Sequence, residues 1–382
     1  MPMLFKYRLY TPGPTSVPPE TLAVLSRPVH HHRTAEFRAT FNQAHALLKE
    51  VFQTAENVYT ITGSGTAAFE AGFVSALAPG AKVLNITNGK FAERWASYCK
   101  AFGCELIDHK LEYGTHVQPA ELRAVLSKTK VDAVVLVHSE TSTTTVCDLK
   151  EIAKVVREFG ETLLIVDGIT SIGAMPFYMD AWGIDVAITG SQKSLMLPPG
   201  LGYVALSKRA QAAMNAKKTL PSHYLDLRQY AKTIDKGDTP FTPANTLIEA
   251  QLESLKMIKS EGLETVWKRT ALSASAFRAA AIAIGLSTFS KQPSDSVSGV
   301  SYPAGIDDKT FRDTLKKKYN IHVAAGQGSM EGNTFRVNHM GYTDLFDVLA
   351  VVSAIELVLA QLGHKFEHGA GVMAAQKVIA TA

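Results

Sequence analysis

Along the first two thirds of the chain, short runs of apolar, mostly β-branched residues alternate with stretches whose apolar positions recur every three or four residues. VDAVVLVHSE (131–140) and TLLIVDGITS (162–171) carry the first pattern, which reads as strand. DLKEIAKVVREFG between them carries the second and closes on Gly160, as a helix does. Together they make a β-α-β unit. WGIDVAITGSQK (182–193) repeats the strand signal, and GYVALSKRAQAAM (202–214) reads as a strand running into a helix. Strands this apolar are expected where helices cover both faces, so the pattern predicts an α/β fold on a mostly parallel sheet flanked by helices.

Near residue 250 the pattern changes. The stretch from IEAQLESLK to AIAIG (248–285) is helical throughout, and it predicts one long helix. VSGVSYPAG, NIHVAAG and TFRVNHMG then read as short strands, and DLFDVLAVVSAIELVLAQLG as a closing helix. The expected division is a large domain over 16–250 and a smaller α+β domain over 251–382, the latter joined by the N-terminal segment 1–15. There is no internal repeat and no low-complexity segment.

Composition narrows the class without naming it. A chain of 382 residues with 46% hydrophobic and 19% charged residues has ample material for a packed core. Its 39 basic residues face 35 acidic ones. The densest run, Lys316–Lys318, reads as a solvated helix end, so no nucleic-acid partner is expected. Cys99, Cys104 and Cys147 are too few and too irregular for a disulfide framework or a zinc site, which fits a reducing compartment. MPMLFKYRLYTPGP lacks the apolar core of a signal peptide, no run of about 18 apolar residues offers a membrane span, and the closing IATA is not a peroxisomal address. A cytoplasmic location and no membrane partner are expected. His30, His31 and His32 are consecutive and have no acid or Cys cluster beside them, so they read as a loop and no metal is expected.

Three places in the strand-helix pattern can carry chemistry, because parallel sheets bind ligands at the carboxyl ends of their strands. Thr62-Gly63-Ser64-Gly65-Thr66 precedes a helical stretch, and small residues there would let backbone N–H groups approach a phosphate; an ordinary turn and N-cap is the competing reading. Asp167 ends TLLIVD, where it is either a turn cap or a carboxylate held against a cationic ring nitrogen. Lys193 lies between an apolar run and Pro198-Pro199-Gly200, where its amine either snorkels to water or is used. A phosphate loop, an acid and an amine at the strand ends of one sheet together describe a site for pyridoxal 5'-phosphate.

These residues carry a resemblance. The chain resembles the class V aminotransferases of the fold-type I pyridoxal-phosphate enzymes, most of all the serine or alanine to glyoxylate branch. The similarity runs over nearly the whole chain, in order: TPGPTSVPPE, HHRTAEFRATF, TGSGTAAFE, NGKFAERW, HSETST, VDGITSIG, GSQKSLMLPPG, TPFTPANTLI, FRVNHMG and GAGVMAA. The resemblance implies that Lys193 forms the Schiff base and Asp167 partners the ring nitrogen. It places Ile169 under the ring and Phe91 over it. Ser64, Gly65, Thr66 and Gln192 would hold the phosphate, and Ser142, or Thr141 beside it, the phenolic oxygen. Arg336 would grip the substrate carboxylate, which suits a planar guanidinium fork, and Gly13 would line the same pocket.

The loop GDTPFTP would reach the phosphate of a neighbouring subunit through Thr239 or Thr242, which implies a homodimer with shared sites. Two departures stand out: Phe241 and Asp238 lie where many glyoxylate enzymes place a tyrosine nearby, and Thr144 lies where relatives often have Gly. The implied reaction is ping-pong transamination between a small L-amino acid and a 2-oxo acid, glyoxylate or pyruvate, with Lys193 as general base.

Three other readings compete. A cysteine desulfurase needs a nucleophilic Cys in the C-terminal part, and here all three cysteines lie in the first half. An aminotransferase of the same class acting on an aminophosphonate or ureidoglycine shares the motifs. A pyridoxal-phosphate-holding subunit of a hydrogenase-type complex would have no need of Lys193, Asp167 and Arg336 together.

Overall fold

A computed structural model describes residues 4–382; residues 1–3 of the N-terminal segment lie outside the described residues. Seven strands form the main sheet: β1 (Val58–Thr62), β2 (Lys82–Thr87), β3 (Glu105–Lys110), β4 (Ala133–Val137), β5 (Leu163–Asp167), β6 (Val186–Gly190) and β7 (Leu201–Leu206). Their order is β1-β7-β6-β5-β4-β2-β3. The run β6-β5-β4-β2-β3 is parallel, while β7 lies antiparallel to both its neighbours. GYVAL is thus a strand as its residues predict, but it is reversed. The connection from β6 through Lys193 and the two prolines is too short for a helical crossover, so the chain turns straight back beside β6.

The helices lie where the periodicity puts them. Leu149–Arg157 opens on Asp148, whose side chain accepts from the Glu151 N–H at 3.2 Å, and the chain turns out of it before Gly160 at φ 65°. Helix α1 (Gly65–Ala76) follows β1 and is buried on most of its surface, since GTAAFEAGFVSA offers small and apolar side chains on every face. Helix α2 (Arg94–Phe102) follows β2, and its Trp95, Tyr98 and Cys99 face inward. Ile61, Phe73, Leu84, Leu136, Ile165, Ile188 and Tyr203 all lie in the main hydrophobic cluster, each fully buried. Each such side chain contributes about 1.5–3 kcal/mol through removal from water.

The long helical stretch is two helices, α3 (Asn245–Glu261) and α4 (Leu263–Ala283). Gly262 separates them at φ 85°, ψ 128°, a conformation closed to residues with a side chain, and periodicity alone does not register it. The inner side of α3 packs into the main cluster, while Ala276, Phe277, Ala280 and Ala281 of α4 enter a second cluster. That second core lies under an antiparallel sheet, β8 (Ser287–Thr288), β9 (Val297–Ser301), β10 (Ala324–Ala325) and β11 (Thr334–Asn338), in the order β8-β9-β11-β10. NIHVAAG, expected as one strand, splits: Ala324–Ala325 join this sheet, and Ile321–His322 pair in parallel with Arg8–Leu9. Tyr10, just beyond, is buried in the second cluster.

Candidate active site

The expected residues gather at the carboxyl ends of β1, β4, β5 and β6. Asp167 is the last residue of β5 and is 4% exposed. Its Oδ1 accepts the Ile169 N–H at 2.8 Å, so the turn-cap role is real. Oδ2 has no hydrogen-bond partner among the described residues. Burial pushes the Asp167 carboxyl up to about 7, opposed by the Ile169 N–H and by the charge of Lys193.

Lys193 follows β6 by three residues and is 8% exposed. Its Nζ donates to the carbonyl of Pro12 at 2.6 Å, across 181 positions of sequence. Burial lowers the amine to about 8; Asp167 opposes the shift, and Arg336 and Arg94 add to it. The TPGP segment therefore lies directly on the amine. A Cβ placed on Gly13 would stand 2.0 Å from Nζ, so a side chain here would displace the amine from its place.

The phosphate-loop residues form a cradle. Ser64 is the N-cap of α1 yet makes no side-chain cap bond, which leaves the start of the helix without a side-chain acceptor beside the exposed residues Ser64 and Thr66. A Cβ on Gly65 would come 2.6 Å from Ile169 Cδ1, which shows how closely the cradle packs on the residue after Asp167. Gln192 brings a buried Oε1 with no hydrogen-bond partner among the described residues. The uncapped helix start offers N–H donors that suit a phosphate, and the unpartnered Asp167 Oδ2 offers an acceptor that suits a protonated ring nitrogen.

Phe91 lies in the loop before α2, with the Arg94 guanidinium 4.6 Å from its ring centroid. The two hydroxyls expected at the phenolic oxygen already have protein partners. Ser142 Oγ donates to Glu140 at 2.6 Å and accepts from the Lys90 N–H at 2.9 Å. Thr141 Oγ1 lies 3.1 Å from Thr170 Oγ1, which itself donates to the Ser139 carbonyl. Arg336, on β11 of the second sheet, is 5% exposed. Its Nε donates to the Ala325 carbonyl and its Nη1 to the Thr141 carbonyl, both at 2.9 Å, and Nη2 has no partner among the described residues. Burial lowers this guanidinium to about 10, partly offset by Glu140.

The expected intersubunit loop differs between its two threonines. Thr239 is buried and donates to the Phe241 carbonyl at 2.7 Å, whereas Thr242 is exposed and makes no hydrogen bond among the described residues. Asp238 takes Arg33 at 3.0 Å and Arg38 at 3.6 Å, which anchors the loop to the residues after the histidine triplet. His30 pairs with Glu249 at 3.1 Å. Thr144, where the resemblance leads one to expect glycine, adopts φ 53°, a left-handed conformation that favours glycine, and its Oγ1 accepts the Gly299 N–H.

Two contacts escape the sequence reading. Pro12 acts through its carbonyl, which no motif reports. Glu140 is fully buried inside a motif singled out for its hydroxyls, and the signal available was a lone acid at the end of an apolar strand.

The geometry agrees with what the chain is similar to. The Aminotransferase class-V family model matches residues 18–343. The chain is 40% identical over 380 residues to the "Soluble hydrogenase 42 kDa subunit" of Anabaena cylindrica, covering 98% of both chains. It is 34% identical to the L-aspartate–glyoxylate aminotransferase of Paracoccus denitrificans, covering 97% of this chain and 95% of the relative. The crystal structure of the ureidoglycine–glyoxylate aminotransferase of Bacillus subtilis superposes with a TM-score of 0.92 at 31% identity, over 99% of each chain. The chain belongs to the class V aminotransferases, pyridoxal-phosphate enzymes of fold type I.

Proposed function

We propose that this aminotransferase binds pyridoxal 5'-phosphate and moves the amino group of a small L-amino acid, serine or alanine, to glyoxylate or pyruvate. The observation that carries the reading is the buried Lys193–Asp167 pair at adjoining strand ends, with the buried Arg336 near enough for its charge to lower the Lys193 amine. Pyridoxal phosphate, when bound, supplies an aldehyde that condenses with amines and a ring that takes up the charge left when substrate Cα loses its proton.

This chain's residues do the rest. Ser64, Gly65, Thr66 and Gln192 hold the phosphate, and Thr242 or Thr239 of a second copy completes that grip, so the working unit is a homodimer. Asp167 would partner the ring nitrogen through Oδ2 and favour its protonated form. Ile169 and Phe91 would enclose the ring, and Thr141 or Ser142 would offer its hydroxyl to the phenolic oxygen. Lys193, lowered to about 8 by burial, has an appreciable free-base fraction at neutral pH. It can therefore attack as a nucleophile and afterwards carry the proton from substrate Cα. Arg336 fixes the donor carboxylate through Nη2 and so orients Cα toward Nζ.

The crowding of Gly13 and the Pro12 carbonyl on Nζ supports a small donor, and the acceptor follows the glyoxylate shared by two relatives' names. The same names supply rival donors, aspartate and ureidoglycine. A second distal carboxylate would find Arg94, stacked on Phe91, as the next cation. The test is a donor panel of L-serine, L-alanine, L-aspartate and ureidoglycine with glyoxylate, followed by absorbance of the cofactor-loaded protein. Bleaching of the visible band by serine or alanine with glycine formed is expected. Bleaching by aspartate or ureidoglycine alone replaces the donor, and a protein that takes up no cofactor overturns the reading. A further reading, a cofactor-holding hydrogenase subunit, draws on the name of the Anabaena relative and would show stable association without turnover.

Two outcomes follow for single groups. Arg336→Gln should raise KM for the donor about 100-fold while kcat falls less, because the carboxylate loses a charge-assisted pair made in ground and transition state alike. Steady-state kinetics check this. The rate at which Lys193 captures added cofactor should rise with pH and level off above about 8, where the buried amine is deprotonated. Stopped-flow absorbance reads it. A midpoint near 10.5, the ordinary lysine value, would place the amine in water.

A further inference from the structure

Glu140 has no assigned part in the chemistry, yet it is 0% exposed and forms no salt bridge among the described residues. Its carboxylate receives four donors. Oε1 accepts the Ser142 N–H at 2.9 Å, the Ser142 hydroxyl at 2.6 Å and the Phe91 N–H at 3.4 Å, and Oε2 accepts the Ala92 N–H at 2.9 Å. The turn before Phe91 is laid directly on it: a Cβ on Gly89 would stand 2.4 Å from Glu140 Cγ and Cδ and 2.6 Å from Ser142 Oγ. The same turn is tied a second time by the Lys90 N–H on Ser142 Oγ. One residue further on, the Thr141 carbonyl receives Arg336 from the second sheet, and the Thr141 hydroxyl meets Thr170 beside Ile169.

Residues 140–142 thus join three parts that must agree within a fraction of an ångström. These are the loop that carries Phe91, the turn that carries Ile169, and the arginine that addresses the substrate. A loop packed only by an aromatic ring can slide; one whose consecutive N–H groups converge on a single buried carboxylate cannot. Burying a carboxylate without a cation is costly, and a site holding one gains rigidity in return.

We propose that Glu140 is a positioning residue of the transamination site, its carboxylate fixing the Phe91 loop so that the ring lies over the cofactor in register with Arg336. It acts through Phe91 and touches no reacting atom. The inference rests on the cofactor reading above.

The variant Glu140→Gln separates positioning from mere support. Its amide oxygen can keep the three bonds of Oε1, while its NH2 meets the Ala92 N–H head on, so the protein folds but the loop loses its register. The experiment measures kcat/KM and visible circular dichroism per bound cofactor for wild type, Glu140→Gln, Phe91→Leu and the double variant. Glu140→Gln is expected to lower kcat/KM about tenfold or more and to weaken the visible dichroism, which reports how the bound chromophore sits. In the Phe91→Leu background the same substitution should cost about twofold or less, since the group it acts through is gone. An equal cost in both backgrounds, or wild-type dichroism in Glu140→Gln, overturns the proposal. A wild-type protein that shows no visible band sinks the cofactor reading itself, an outcome distinct from either of these.

Discussion

Lys193→Ala should abolish turnover, with a loss of at least about 10⁴-fold, because one side chain supplies both the nucleophile and the proton carrier and no neighbour can replace it. Two other amines are engaged elsewhere: Lys90 is paired with Glu93 at the surface, and Lys217 caps the carboxyl end of α1 through the carbonyls of Val74, Ser75 and Leu77. The variant should still hold the cofactor through the cradle, since Ser64, Thr66 and Gln192 are untouched. Its spectrum should lack the lysine-linked visible band, and reduction with borohydride followed by mass analysis should leave the chain unmodified. Wild type, treated alike, should carry the label on Lys193. A labelled peptide elsewhere would move the site.

Asp167→Asn should separate function from stability. The neutral amide keeps an acceptor for the Ile169 N–H but has no charge to hold the ring nitrogen protonated, so kcat should fall about 10²–10⁴-fold with cofactor still bound. The apo protein should become more stable. Asp167 has a folded value of about 7 against an ordinary 3.8, so the folded state favours its neutral form. The cost of burying its charge is absent below 3.8, grows between 3.8 and about 7, and is full above that. The apo variant should therefore exceed wild type by about 1–4 kcal/mol at pH 8 and by nothing near pH 4. Denaturant titrations of both apo proteins at the two pH values check the sign. Equal stability at pH 8 would show that Asp167 is solvated, and unchanged kcat would remove it from the chemistry.

A site that trades stability for chemistry in this way is a common property of enzymes. Asp167, Lys193, Arg336 and Glu140 are four ionisable groups withdrawn from water, and none forms a salt bridge among the described residues. Their burial shifts Lys193 toward its free base and Asp167 toward its acid, so cofactor and substrate would supply the charges that each now lacks.

Much of this was legible in the residues alone. The alternation of β-branched runs with helical periodicity required helix-covered strands, because only an α/β arrangement buries apolar segments on both faces. The places of Asp167 and Lys193 at strand ends, and the small residues before α1, were local facts that no tertiary contact had to supply. What the tertiary structure decided was set by groups far apart in sequence. Periodicity also passes over the break at Gly262 and the reversal of β7, which rest on a positive-φ glycine and on a connection too short for a helical crossover. The Pro12 carbonyl on Lys193, the Glu140 clamp on the Phe91 loop and the Arg336 reach to Thr141 join residues 181, 49 and 195 positions apart. Hydrogen bonds of that kind leave no spacing in the chain to be read, since their geometry exists only once both cores have packed.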